Sequence, residues 1–329
     1  MIHFVLKRVG SALLVLVVLS AAVYALFYLA PADPARLACG ERCSPQQIAQ
    51  VRTQLGLDDS VTVQYLHFLQ GLFVGRDFSG GTEILHCQAP CLGFSYQTDQ
   101  QVTQLLVERL PATFSLAVGA MAVWLAVGVG TGLLSALRRG GITERALTVL
   151  TLAGTGTPVF ILGLLLLMVV CAQLQWLPFP SYVPFSQDTE QWAWNMLLPW
   201  LTLGLFESAK YARLTRSSTL ETLAEDHIRT FRAYGVGERT VVTRHALRGA
   251  VPPVVALNAI DLGTVMGGAV LTESLFGIPG LGKTLIDSVR MADLPVVVGV
   301  VMVMGAAVVV AGALADLLYA AADRRVALR

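Results

Sequence analysis

The sequence predicts an all-α, polytopic membrane protein, with six transmembrane helices and a small extracytoplasmic domain after the first. Three observations carry this. Of 329 residues, 55% are hydrophobic and only 14% charged, where a soluble domain carries about a quarter charged. The apolar residues gather into six runs, at about 9–30, 112–137, 146–175, 196–214, 251–274 and 294–320, most of them near or above the ~20 residues that a spanning helix needs. The basic residues gather between these runs, more densely on one side than the other. A formal net charge of +1 conceals that segregation.

Residues 1–30 read as an N-terminal anchor helix. The run follows Lys7 and Arg8 and is longer than a signal-peptide core, although Ala30-Pro31-Ala32 imitates a cleavage site. Residues 31–105 are polar and read as a separate extracytoplasmic domain, with helices expected over Gln46–Leu55 and Leu55–Ser79. Cys39, Cys43, Cys87 and Cys91 form two Cys-x-x-x-Cys pairs there. Outside the cytoplasm such pairs fit disulfides, while four thiolates could instead hold zinc. Disulfides are the reading adopted, and local pairing is one of three connectivities.

Residues 106–329 read as a five-helix core. Gly154 to Pro158 interrupts the third run, so a kink is expected there. The fourth run is short and ends in polar residues, among them Glu207 and Lys210 at a spacing that lets them pair. Cys171 reads as a small buried apolar residue. With the N-terminus in the cytoplasm, 15 lysines and arginines fall inside and seven outside, which satisfies the positive-inside rule. Six spans then leave both termini cytoplasmic.

The stretch Glu225–Pro253 stands apart, within a charged segment at about 215–250. Acids lead it, and Arg229, Arg232, Arg239, Arg244 and Arg248 recur along it. A short helix near 220–233, a turn at Gly235 and Gly237 and a second helix over Glu238–Gly249 are expected, with Pro252 and Pro253 opening the next span. The run Arg229-Thr230-Phe231-Arg232-Ala233-Tyr234-Gly235, followed by Arg244-His245-Ala246-Leu247-Arg248, resembles the cytoplasmic loop of ABC-importer permeases of the dipeptide/oligopeptide/nickel branch. Phe231 stands where that family usually has alanine. Pro31 to Pro34, Leu55 to Asp58, Glu108 to Thr113, Thr157 to Gly163, Leu198 to Gly204, Ala212 to Arg216 and Glu273 to Gly282 extend the resemblance over nearly the whole chain.

The resemblance implies a permease subunit of the bacterial plasma (inner) membrane, importing di- or oligopeptides, with nickel or another small solute as the alternative cargo. It implies a second homologous permease, two ATPase subunits or domains and an extracytoplasmic substrate-binding protein as partners, besides membrane lipid. No nucleic-acid partner is implied. ATP and magnesium belong to the ATPases, and no cofactor, metal or catalytic residue to this chain. Arg229, Thr230, Phe231, Arg232, Ala233, Tyr234, Gly235 and Gly237 become the ATPase-coupling residues.

Two further features are weighed on the residues alone. Gly277 to Thr284 spells G-x-x-x-x-G-K-T, but a phosphate loop needs a preceding strand and a nucleotide fold, and neither fits between two spans. Asn258, Asp261, Val265, Gly268 and Thr272 fall on one face of the fifth span. Polar residues there suit either a translocation path, with Asn258, Asp261 and Thr272 as its candidates, or helix packing. A self-sufficient secondary transporter would need its own ion site and usually a repeat, and no repeat is visible.

Overall fold

The computed structural model describes residues 2–29, 35, 44–54, 59–80, 83–95, 97–138, 142, 156–267 and 269–322. In chain order they form α1 (Ile2–Leu29), α2 (Pro45–Gln54), α3 (Val61–Val74), strands β1 (Arg76–Gly80), β2 (Glu83–Cys87), β3 (Phe94–Ser95) and β4 (Gln100–Gln101), and α4 (Val102–Trp124). A π-helical turn, Leu125–Val129, joins α4 to α5 (Gly130–Leu137). Next come α6 (Val159–Leu166), which ends in a second π-helical stretch, α7 (Thr189–Leu223) and α8 (Asp226–Ala233). A short α9 (Glu238–Thr240), a third π-helical stretch (Val241–Ala246) and α10 (Leu247–Met266) follow. The last elements are α11 (Val270–Phe276), α12 (Leu281–Arg290) and α13 (Leu294–Ala322).

Among the described residues three helical stretches are long and apolar enough to cross a membrane: Val102–Leu137, Gly249–Met266 and Leu294–Ala315. Gly10–Ala25, Val61–Val74 and Val159–Gln173 are shorter apolar helices. The chain divides into two compact units, one of Met1–Thr113 with Pro279–Val309, the other of Phe114–Ile278 with Val310–Arg329.

In the first unit Val102, Leu105 and Leu106 pack with Leu281, Val296, Val300 and Met304. Tyr24 of α1, Phe68 of α3 and Val298 of α13 make a second cluster. The helix expected over Leu55–Ser79 is, among the described residues, confined to Val61–Val74. Gly75 ends it, and Arg76–Gly80 pairs antiparallel with Glu83–Cys87 from Arg76↔Cys87 to Gly80↔Glu83. Backbone pairing with a later segment thus takes residues that periodicity alone assigns to a helix. Cys87 and Cys91 are joined by a disulfide and buried beside Phe94. Cys39 and Cys43 lie outside the described residues.

In the second unit α7 is the hub, packed on the α4–α5 stretch, α6 and α10. The fourth apolar run is therefore not a short helix. Asp188 caps it by accepting from the Gln191 N–H at 3.0 Å, and it runs for 35 residues. Ala209 and Ala212 near the end of the apolar stretch and Thr215, Thr219 and Thr222 beyond it stay buried at helical spacing, so small side chains carry the packing where hydropathy falls. The facing wall is shaped to match. A Cβ on Gly132 would lie 2.5 Å from the Ala212 carbonyl oxygen, so only glycine lets these backbones approach so closely.

Two expected boundaries move. Pro252 and Pro253 lie inside a helix that runs on to Met266, rather than at its start. The fifth span breaks instead after Met266, and α11 begins at Val270. Thr272 therefore lies on a different helix from Asn258 and Asp261. The break expected between Gly154 and Pro158 falls, within the described residues, at Pro158, whose ψ of 139° is extended.

Candidate functional site

The charged loop is built from α8 and the helix that follows it. Glu225 provides an extended N-cap to α8, and Arg229 reaches back to Asp226 at 3.5 Å. Ile228 is fully buried and anchors the helix on its one apolar side, while Arg229, Thr230, Arg232 and Ala233 are exposed. The α8 C-terminus closes as a Schellman turn: the Gly235 N–H donates to the Arg232 carbonyl at 3.0 Å and the Val236 N–H to the Phe231 carbonyl at 3.1 Å. That motif needs a left-handed residue after the cap, and Gly235 supplies it at φ 77°. Nothing lies within 4 Å of a Cβ built there, so backbone conformation, not space, demands glycine.

Side chains then fasten the turn. Arg232 donates from Nε to Glu238 at 3.0 Å and from Nη2 at 2.5 Å, spanning Gly235 and Gly237 with a two-pronged pair. The hydrogen bonds from Arg232 hold the Glu238 carboxyl below its ordinary pKa. Phe231 stacks on His245 at 4.0 Å between ring centroids, so the aromatic residue in the alanine position ties α8 to the next helix. Tyr234 remains 82% exposed, beside the turn and free of such a tie.

The candidate path residues on α10 sit in a polar cluster. Asn258 accepts from Trp124 Nε1 at 2.9 Å. Asp261 accepts from Lys210 Nζ at 2.9 Å and from the Tyr211 hydroxyl at 2.8 Å. Lys210 also pairs with Glu207 at 2.8 Å, as the sequence spacing suggests. Thr272 is buried on α11 and the structure does not bring it into this cluster. Trp124 and Tyr211 are the members that residue patterning misses. Their only sequence signal is a polar tip on an aromatic ring within an apolar helix. Cys171 is buried and donates weakly to the Pro178 carbonyl.

Gly277 to Thr284 takes the shape of a turn between helices. What precedes it is α11 and not a strand, Gly277 is left-handed and Gly280 is the extended N-cap of α12.

In the second unit, helices packed on one hub lead into a charged helix–turn–helix loop between α7 and α10, an arrangement that fits a polytopic membrane protein. A chain of the MetNI methionine ABC transporter, solved in inward-facing conformations, has this fold with a TM-score of 0.52 at 19% identity, covering 68% of this chain and 98% of that one. Residues 128–328 match the family described as binding-protein-dependent transport system inner membrane component, and residues 1–117 match its N-terminal companion. The chain belongs to that family. Over 99% of both chains it is 34% identical to the dipeptide transport system permease protein DppB of Escherichia coli K12. It is also 36% identical, again over 99% of both, to a protein of Brucella abortus provisionally named a peptide transport system permease protein.

Proposed function

We propose that this chain is one permease subunit of a peptide importer, half of a pore that opens only with a second permease beside it. The observation that carries the reading is the fastened loop. It offers exposed Arg229 and Tyr234 on a short helix whose C-terminus is fixed by a Schellman turn and by the Arg232–Glu238 pair, which suits a rigid knuckle seated in a partner's groove. Relatives named for peptide and dipeptide transport support the cargo. In this reading six spans place both termini and the loop in the cytoplasm of a bacterial inner membrane. Two ATPase subunits hold the ATP and magnesium, and an outer binding protein delivers cargo. The chain performs no chemistry of its own. Coupling requires the knuckle to bind differently in the open and closed ATPase states.

Gly235→Val tests this. A β-branched residue held left-handed costs about 1–2 kcal/mol, and with space around it the strain falls on the turn alone. Membrane insertion is expected to stay normal, while ATPase docking weakens or ATP hydrolysis runs without uptake in reconstituted vesicles. Unchanged docking, hydrolysis and uptake would remove Gly235 from the coupling element.

A further inference from the structure

A cavity of about 260 Å³ opens within the first unit, between α4 and α12. Two contacts bound it. The Leu281 N–H donates to the Thr113 hydroxyl at 2.8 Å and pins the start of α12 to α4. Beyond the end of α12, Asp293 accepts from the Ser95 hydroxyl, which itself accepts from Thr98. Between these pins Arg109 lines the cavity from α4 and Asp287 from α12. The two carry opposite charge, yet they form no ion pair with each other. No hydrogen bond or ion pair to either side chain is found among the described residues. The Nε of Arg109 is moreover buried without an acceptor. A buried donor left unmet costs about 1–3 kcal/mol, and such groups are rare in folded proteins. Leu105, Met291 and Val296 add apolar wall.

Two unmatched charges of opposite sign, held apart across one small space, suit a guest that carries both. A lone anion would satisfy Arg109 and leave Asp287 without a counter-charge, and a lone cation would do the reverse. The volume lies below the roughly 300–1,000 Å³ of sites for drug-sized ligands, so the guest is small. We propose that this cavity binds a dipeptide in its zwitterionic form, with the α-carboxylate on Arg109, the α-ammonium on Asp287 and a side chain against the apolar wall. The proposal rests on the reading of the chain as a peptide-importer permease, and adds to it a cargo contact on this subunit. Lys283 also lines the cavity, but it already has a partner and the carboxylate contact does not use it.

The test uses the full chain purified in detergent and ligand-observed NMR, with alanyl-alanine as the probe. The dipeptide is expected to bind, and acetylating its amine or amidating its carboxylate should weaken binding about tenfold or more. In Arg109→Gln the amide and the free acid should bind equally, and in Asp287→Asn the acetylated and free-amine forms should. Arg109→Lys should keep the preference for the acid. Glu108→Gln, the exposed neighbour of Arg109, should leave all three ligands as they were. No preference for free ends, an unchanged preference in either variant, free alanine binding as tightly, or displacement by glycerophosphoethanolamine would each overturn the proposal. Uptake of alanyl-alanine by the reconstituted importer tells the two readings apart. Uptake unaltered in both variants overturns this site alone, while no uptake by the unmodified importer overturns the peptide reading with it. Neither substitution removes a tie to another described residue; should one variant fail to fold, the other decides.

Discussion

Asp293 is a buried carboxylate at the N-cap of α13, accepting from the Ser95 hydroxyl and the Val296 N–H. Burial is the largest influence on it and raises its pKa, against the lowering effect of those two donors. The folded chain therefore keeps this proton to higher pH than the unfolded one. Stability is expected to fall as pH rises from the ordinary carboxylate value to the raised one, and to level off above it. Asp293→Asn retains the cap and should flatten that slope in thermal unfolding followed across mildly acidic buffers; an unaltered slope would discharge Asp293 from the effect. The two acceptor bonds of Asp261 tie α10 to α7, and Asp261→Asn should cost about 1–3 kcal/mol, seen as a lower unfolding midpoint in detergent. Altered uptake at an unchanged midpoint would instead place it on the cargo path. Sequence reading named Asp261 and paired Glu207 with Lys210, but periodicity along one helix cannot bring Tyr211 or Trp124 across from its neighbours.

At the scale of elements, hydropathy found the apolar centres of helices and lost their ends. The anchor α1, the α4–α5 stretch and α13 all extend beyond the runs that predicted them. In α7 the Asp188 cap and small-residue packing carry the helix past its apolar run, and hydropathy is blind to both. The turn at Gly235 was legible because a glycine at that position has a local backbone reason. The strand Arg76–Gly80 was not, since its reason is a partner seven residues further on. Close packing of α5 on α7 makes its own prediction. Gly132→Leu should drive the two helices apart, costing about 1–3 kcal/mol or more, and should lower the yield of folded protein by size-exclusion chromatography. An unchanged profile would show that the contact can relax.

For the whole molecule, charge asymmetry fixes the expected topology. Single cysteines at Gln187 and Val289, both exposed, should react with an impermeant reagent from outside the cell, and one at Gly237 should not. Labelling at Gly237 from outside would invert the arrangement. Composition separated the polar residues 31–105 from the rest, yet the compact units join Pro279–Val309 to the N-terminal portion. Contacts between segments far apart in the chain leave no mark in local composition. The length of α7 has a mechanical consequence. Its 35 residues make a rod about 52 Å long, against a hydrocarbon core of about 30 Å. In the proposed topology some 20 Å of helix is left over to stand clear of the acyl chains, with the knuckle at the C-terminal end of α7. A tilt of about 5° over the full 35-residue rod sweeps its tip through about 4–5 Å, so a small displacement imposed on the knuckle is passed along α7 as a change of angle.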